Sequence, residues 1–189
     1  MKKVDLKKIK EGVFAFVVCF MCILVVGTIA IIANDGLNSA EEIVMTDSKE
    51  ISFVNPLENV EVLKDYSENR LQFNSTLKQW EAHKAIDLKA AVGTKVFAVE
   101  SGEIVGIETT HLYGTTITIK HADGFESRYS SLSDKVSVSV GDKVSAGAEI
   151  GTVHNSAKGE LEGGSHLHFE LLKNEKKVDP NLYFSFGQK

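Results

Sequence analysis

The sequence predicts an all-β domain of antiparallel sheet, a sandwich or partly open barrel, preceded by one N-terminal transmembrane helix. Two observations carry this. From Ile51 onward, short runs of β-branched and aromatic residues alternate with polar ones and recur every 8–12 residues or so with glycines between them, as hairpin-connected strands do. Ahead of them, the stretch from Val13 to Ala33 carries no charge at all.

The helix comes first in the chain. Within VFAFVVCFMCILVVGTIAIIA only Gly27 and Thr28 interrupt the apolar run. At 1.5 Å per residue, about 21 residues reach roughly 31 Å, the thickness of a bilayer's hydrocarbon core. A backbone placed there must satisfy its own polar groups, which a helix does. A secretory signal peptide has an apolar core of roughly 7–15 residues and a small-residue cleavage site. This run is longer, and Asn34-Asp35-Gly36-Leu37 after it offers only a weak site, so the segment reads as a retained anchor. In residues 1–12, Lys2, Lys3, Lys7, Lys8 and Lys10 outweigh Asp5 and Glu11, which keeps that tail cytoplasmic and sends the rest of the chain outside. The tail's three net positive charges leave about −8 for the remainder of a chain whose total is −5. That balance argues against nucleic acid as a partner.

Cys19 and Cys22 both lie inside the apolar run, where they read as small apolar residues rather than a redox or metal pair. The outer part has no cysteine, so its stability rests on its core and on any metal it holds. Residues 34–50 are polar and acidic without an apolar period, a stalk between the membrane and the domain at 51–184; residues 185–189 form a short tail.

Within the domain, KVFAVE, GEIVGIE, TTITIKH, FESRYSSL, KVSVSVGDKV, EIGTVH and HLHFELL read as strands, with one short helical turn near Leu77–Ala82. Gly93, Gly102, Gly106, Gly114, Gly124, Gly141, Gly147 and Gly151 fall at the turns and bulges where φ > 0 is needed. Val138 to Gly151 has the two-strand shape of biotinyl and lipoyl carriers, but no lysine stands at a hairpin tip as such a carrier needs.

Ser165-His166-Leu167-His168-Phe169-Glu170-Leu171 carries the strongest chemical signal. On a strand His166, His168 and Glu170 share one face, and Leu167, Phe169 and Leu171 the other. Two histidines so spaced can converge on one metal ion. Earlier, His83 and Asp87 fall on one face of an extended stretch, with Ile86 and Leu88 opposite. An Asp/His/His set suits zinc and leaves a fourth position open. Taken alone, H-x-H more often marks solvated or structural histidines, and His83 with Asp87 reads equally as a surface pair.

Together these pieces resemble the lysostaphin/LytM-type zinc endopeptidases, which cut peptide cross-links of cell-wall peptidoglycan. His83–Asp87 is similar to the family's H-x-G-x-D, and Gly164–Glu170 to its G-x-H-L-H-F-E. Leu112-Tyr113-Gly114, Ile119–Gly124, Val140–Val144 with Ile150-Gly151, and Val178-Asp179-Pro180 follow the family's intervening motifs in order, over residues 80–184. The resemblance implies a LytM-like fold, Zn2+ held by His83, Asp87 and His168, and His166 as a catalytic histidine. Two departures stand out. Ala85 occupies the glycine position of the first motif. Ser131, in Tyr129-Ser130-Ser131-Leu132, stands where the family's Y-x-H-L places a second catalytic histidine. A hydroxyl cannot replace an imidazole in proton transfer near neutral pH, a loss worth about 10²–10⁴ in rate. His111 and His154 are candidates to compensate.

The family also has catalytically incomplete members that act in endospore formation. What that implies here is a single-pass protein of the forespore membrane, its domain in the space between forespore and mother cell. There it would dock the ectodomain of stage III sporulation protein AH or a similar partner, with weak or no activity on peptidoglycan.

Overall fold

Alternation along one strand, β11 (His166–Lys173), organises the domain: Leu167, Phe169 and Leu171 enter the apolar core while His166, His168 and Glu170 turn the other way. Both faces are buried. The computed structural model describes residues 52–186; the cytoplasmic tail, membrane helix and stalk expected before them lie outside the described residues. Among the described residues no helix is long and apolar enough to cross a membrane.

The strands are β1 (Val62–Lys64), β2 (Ser67–Asn74), β3 (Gln79–His83), β4 (Ile86–Lys89), β5 (Lys95–Phe97), β6 (Gly102–Thr110), β7 (Gly114–Lys120), β8 (Phe125–Leu132), β9 (Lys143–Val144), β10 (Glu149–Thr152), β11 and β12 (Lys176–Val178). All pairings are antiparallel. An open eight-stranded sheet runs β1-β4-β11-β8-β7-β6-β9, with β12 continuing beside β11 where β4 ends. β5 with β10 and β2 with β3 form two separate ribbons. The all-β antiparallel reading therefore holds, as an open sheet with two ribbons and no closed barrel. The helical turn expected near Leu77–Ala82 is instead a turn ending at Lys78, which takes φ 54°, followed by β3.

One core joins these layers. Ile86 and Leu88 of β4, Ile117 and Ile119 of β7, Tyr129 and Leu132 of β8, and Leu167 and Phe169 of β11 meet Val96 and Ile150 of the β5–β10 ribbon, all fully buried. Each such side chain stabilises the fold by about 1.5–3 kcal/mol relative to exposure. Gly93, Gly114, Gly124, Gly141 and Gly147 take positive φ as expected. Gly102, Gly106 and Gly151 do not; at Gly102 the constraint is close approach, since a Cβ there would collide with the Lys120 carbonyl. The β2–β3 ribbon leaves an apolar strip outside: Leu71, Phe73 and Trp80 are 56%, 47% and 66% exposed, with the Phe73 and Trp80 rings 5.4 Å apart.

A buried polar chain crosses the opposite side of the core. The Val99 N–H donates to Tyr129 Oη (2.9 Å), which lies 2.9 Å from Ser127 Oγ; Ser127 Oγ lies 2.7 Å from His121 Nε2, and His121 Nδ1 donates to the Ser101 carbonyl (3.0 Å). His121, in the family-like Ile119–Gly124 stretch, is thus a structural side chain. Burial pushes its imidazole below the ordinary value, and the bond to Ser101 opposes that only in part.

Two predictions follow from this chain. Tyr129→Phe strands the Val99 N–H in the core, so urea unfolding of the purified protein is expected to show a loss of about 1–3 kcal/mol. His121 is expected to titrate below about 6.5 by NMR. Its contribution to stability is then complete above that pH and fades as the pH falls through it, because the unfolded chain takes up a proton that the folded one refuses.

Candidate metal centre

Sheet register brings the first two groups together. In the β4–β11 pairing Asp87 lies directly opposite His168, and Leu88 opposite Leu167 on the core side. Asp87 Oδ1 is 2.9 Å from His168 Nδ1. The third group arrives differently from the single extended stretch that spacing suggests. The chain breaks at Lys84-Ala85, so His83 ends β3 in the β2–β3 ribbon while Asp87 sits in β4. The two meet across this corner, His83 Nε2 to Asp87 Oδ2 at 3.2 Å. Ala85 is buried and keeps a negative φ, so the methyl group at the family's glycine position is accommodated without strain.

The outward nitrogens set how the two imidazoles present themselves. His83 Nδ1 lies 3.0 Å from the Asp65 carbonyl, which only accepts, so Nδ1 carries the proton and the Nε2 lone pair faces the centre. That Nε2 is buried without a hydrogen-bond partner. His168 Nε2 faces Glu170 Oε1 at 3.4 Å, and Lys177 Nζ holds the same oxygen at 2.6 Å. His168 Nδ1 is therefore the atom offered inward. Metal-binding histidines are oriented by such outer carbonyl and carboxylate partners. Two inward imidazole nitrogens, one of them the otherwise orphaned His83 Nε2, and a buried carboxylate form a donor set that fits Zn2+.

A fourth group, absent from the motifs, completes the cluster. Glu160, in the loop between β10 and β11, places Oε2 3.1 Å from His168 Nδ1 and Oε1 3.9 Å from His83 Nε2. One ligand atom from each of His83, Asp87, Glu160 and His168 lies within 4.8 Å of the others. His166 is adjacent rather than central. Its Nδ1 donates to the Gly164 carbonyl (2.8 Å), and its Nε2 lies 3.4 Å from Glu160 Oε2 and 3.9 Å from Asp87 Oδ1.

Charge in the cluster is shared between neighbours. Burial alone would raise the Asp87 carboxyl, but the hydrogen bond with His168 and the close approach of His83 outweigh it and hold it at about 2. Glu160 is likewise kept below the usual carboxylate range against its burial by His166 and His168. Burial lowers His168, yet Asp87, Glu160 and Glu170 together lift it well above its ordinary value. His166 is raised in the same way, chiefly by Glu160. The carboxylates thus demand positive charge, which imidazolium supplies in the protein alone and a divalent cation supplies equally.

Ser131 lies beside this cluster without joining it. It is buried, holds φ at 63°, and its Oγ has no hydrogen-bond partner. Left-handed backbone is uncommon for a residue other than glycine. A void of about 10 Å³ in front of it is lined by His154, Glu160, Gly164 and His166. His154 is exposed at the rim of that void, and its N–H donates to the Ser131 carbonyl; His111 is exposed in the β6–β7 turn.

Comparison with known proteins adds a family and a fold. Residues 81–180 match the model of peptidase family M23. Stage II sporulation protein Q of Bacillus subtilis (strain 168) is 33% identical over 147 residues, covering 75% of this chain and 50% of that protein. The peptidoglycan DD-endopeptidase ShyA of Vibrio cholerae is 31% identical over 102 residues, 54% of this chain and 23% of the enzyme. The chain therefore spans half of the first relative's length and about a quarter of the second's. Among solved structures, the SpoIIQ–SpoIIIAH pore forming complex aligns with a TM-score of 0.62 at 28% identity, over 71% of this chain and 91% of that one. The catalytic domain of lysostaphin from Staphylococcus simulans aligns with a TM-score of 0.54 at 28% identity, over 66% and 91%.

Equilibrium dialysis of the purified full chain against Zn2+ is expected to give close to one equivalent. His168→Ala should abolish it, and Glu170→Gln should weaken affinity about 10–100-fold by freeing the His168 ring. Full occupancy in His168→Ala would show that these residues are not the ligands.

Proposed function

The chain belongs to peptidase family M23, and from that premise we propose that it works as a membrane-anchored docking module in endospore formation. In this reading residues 13–33 hold it in the forespore membrane and residues 34–50 carry the domain into the space facing the mother cell. The domain there pairs with the ectodomain of stage III sporulation protein AH or a similar partner. The observation that supports it most directly is likeness, in sequence and in fold, to stage II sporulation protein Q, a protein whose structure is known in complex with SpoIIIAH.

The site's chemistry points the same way. Zn2+ would be held by His83, Asp87 and His168, and when bound it supplies Lewis acidity. His166 is the one family-type catalytic histidine present, and it is engaged with Glu160 and Gly164. The second position is Ser131, whose hydroxyl neither donates nor accepts in the cluster. With one of two proton-transfer groups missing, turnover falls by about 10²–10⁴. Binding a partner needs neither group.

A second reading is a residually active, tethered peptidoglycan endopeptidase. The convergence of His83, Asp87, His168 and His166 favours it, as does similarity to peptidoglycan endopeptidases. Two measurements on the purified full chain in detergent separate the readings. Sedimentation with the purified SpoIIIAH ectodomain is expected to show a complex, and incubation of zinc-loaded protein with purified peptidoglycan is expected to release no muropeptides. Absence of association together with muropeptide release would replace the docking reading with the enzymatic one.

A further inference from the structure

We infer that Glu160 is a fourth protein ligand of the metal site, which makes it a closed, structural site rather than an open, catalytic one. The inference rests on the reading that this cluster holds zinc. Structural zinc sites carry four protein ligands, whereas catalytic ones carry three and leave a position exchangeable. The family-like residues His83, Asp87 and His168 amount to three.

Geometry places Glu160 at the fourth corner. Zinc bonds to nitrogen and oxygen of about 2.0–2.2 Å in a tetrahedron put neighbouring ligand atoms about 3.3–3.6 Å apart. His168 Nδ1 lies 2.9 Å from Asp87 Oδ1 and 3.1 Å from Glu160 Oε2, and His83 Nε2 lies 3.2 Å from Asp87 Oδ2 and 3.9 Å from Glu160 Oε1; taking one atom from each residue, all four lie within 4.8 Å of one another. Glu160 is as near His168 as a ligand would be, and a little farther from His83. Its carboxylate is only 13% exposed, so it faces the cluster rather than water.

The backbone on either side of Glu160 is fastened. The Gly159 N–H donates to the Leu112 carbonyl (3.0 Å), and the Gly159 carbonyl accepts from Asn74 Nδ2 (3.1 Å). Beyond Glu160, the Glu162 N–H donates to Thr76 Oγ1 (3.0 Å) and its carboxylate meets Lys78 Nζ at 3.2 Å. These bonds tie the loop to the β6–β7 turn on one side and to the β2–β3 turn on the other. The loop is latched over the centre from both banks of the cleft.

The cleft is divided as a result. One cavity of about 330 Å³ is lined by Asp87, His166 and Glu160, with Phe73 and Asn74 of β2. Another, of about 220 Å³, is lined by His83, His168 and Glu160, with Tyr113. Glu160 is common to both, so a peptide laid across the metal ligands would have to displace it. His166, with Nε2 3.4 Å from Glu160 Oε2, acts as a positioning residue for that carboxylate.

Cobalt(II) substitution of the full chain in detergent tests this, because the visible spectrum of cobalt reports its coordination without any turnover. Thiocyanate, a ligand for an exchangeable position, is expected to leave the spectrum of the unaltered protein unchanged. Glu160→Ala should still bind one equivalent, with affinity reduced by at least the roughly 10–100-fold that loss of an outer partner costs, and its spectrum should now shift with thiocyanate. Glu160→Gln, which keeps the side chain's shape, should behave alike if the loop needs that volume to fold. A thiocyanate shift in the unaltered protein, or unchanged affinity in both variants, would overturn the inference while leaving the three-ligand zinc reading standing. Failure of the unaltered protein to bind cobalt or zinc, or undiminished binding in His168→Ala, would remove that reading and this inference with it.

Discussion

Burial of ionisable groups on the cleft face of β11 is the constraint on which the domain depends. His166, His168 and Glu170 are each less than one-tenth exposed and stand in a row on one strand. Charged or polar groups out of water are costly unless each finds a partner. Partners come from every neighbouring element. β4 supplies Asp87 through register, β3 brings His83 around the Lys84-Ala85 corner, the strand after β11 sends Lys177 to Glu170, and the β10–β11 loop sends Glu160. The other face of the same strand is ordinary core. One strand therefore carries both the apolar packing that defines the fold and the polar cluster that gives it chemical character.

Local period made much of this legible. Alternation in His166–Leu171 announces a two-faced strand, and the spacing of β-branched runs announces an antiparallel sheet. What stayed hidden depends on contacts far apart in the chain. Glu160 lies in Lys158-Gly159-Glu160-Leu161-Glu162-Gly163-Gly164, a stretch without apolar period, and nothing local separates it from the neighbouring Glu162. Its place follows from bonds such as Asn74 to Gly159, 85 residues apart. The Asp65 carbonyl that orients His83 is a backbone atom, invisible to any reading of side chains. Leu77–Ala82 misleads for a related reason: apolar residues at helical spacing there serve an exposed ribbon, where Phe73 packs on Trp80 instead of on a core.

Ser131 and Ala85, the two departures from the family pattern, differ in weight once their backbones are seen. Ala85 sits where φ is negative and a methyl group costs nothing, so the corner that joins His83 to Asp87 survives the change. Ser131 sits buried in left-handed backbone with its hydroxyl unbonded, and Glu160 and His166 line the void in front of it.

The exposed ribbon carries a consequence of its own. Trp80 is the chain's one tryptophan, and it stands on β3 three residues from His83. Its indole is two-thirds in water and tilted against Phe73. Tryptophan emission of the protein therefore originates at a single spot, on the strand that ends at His83 and on an exposed apolar strip. Nature has left the domain with a built-in optical gauge, and anything that covers the ribbon or tugs on β3 will alter its colour and brightness.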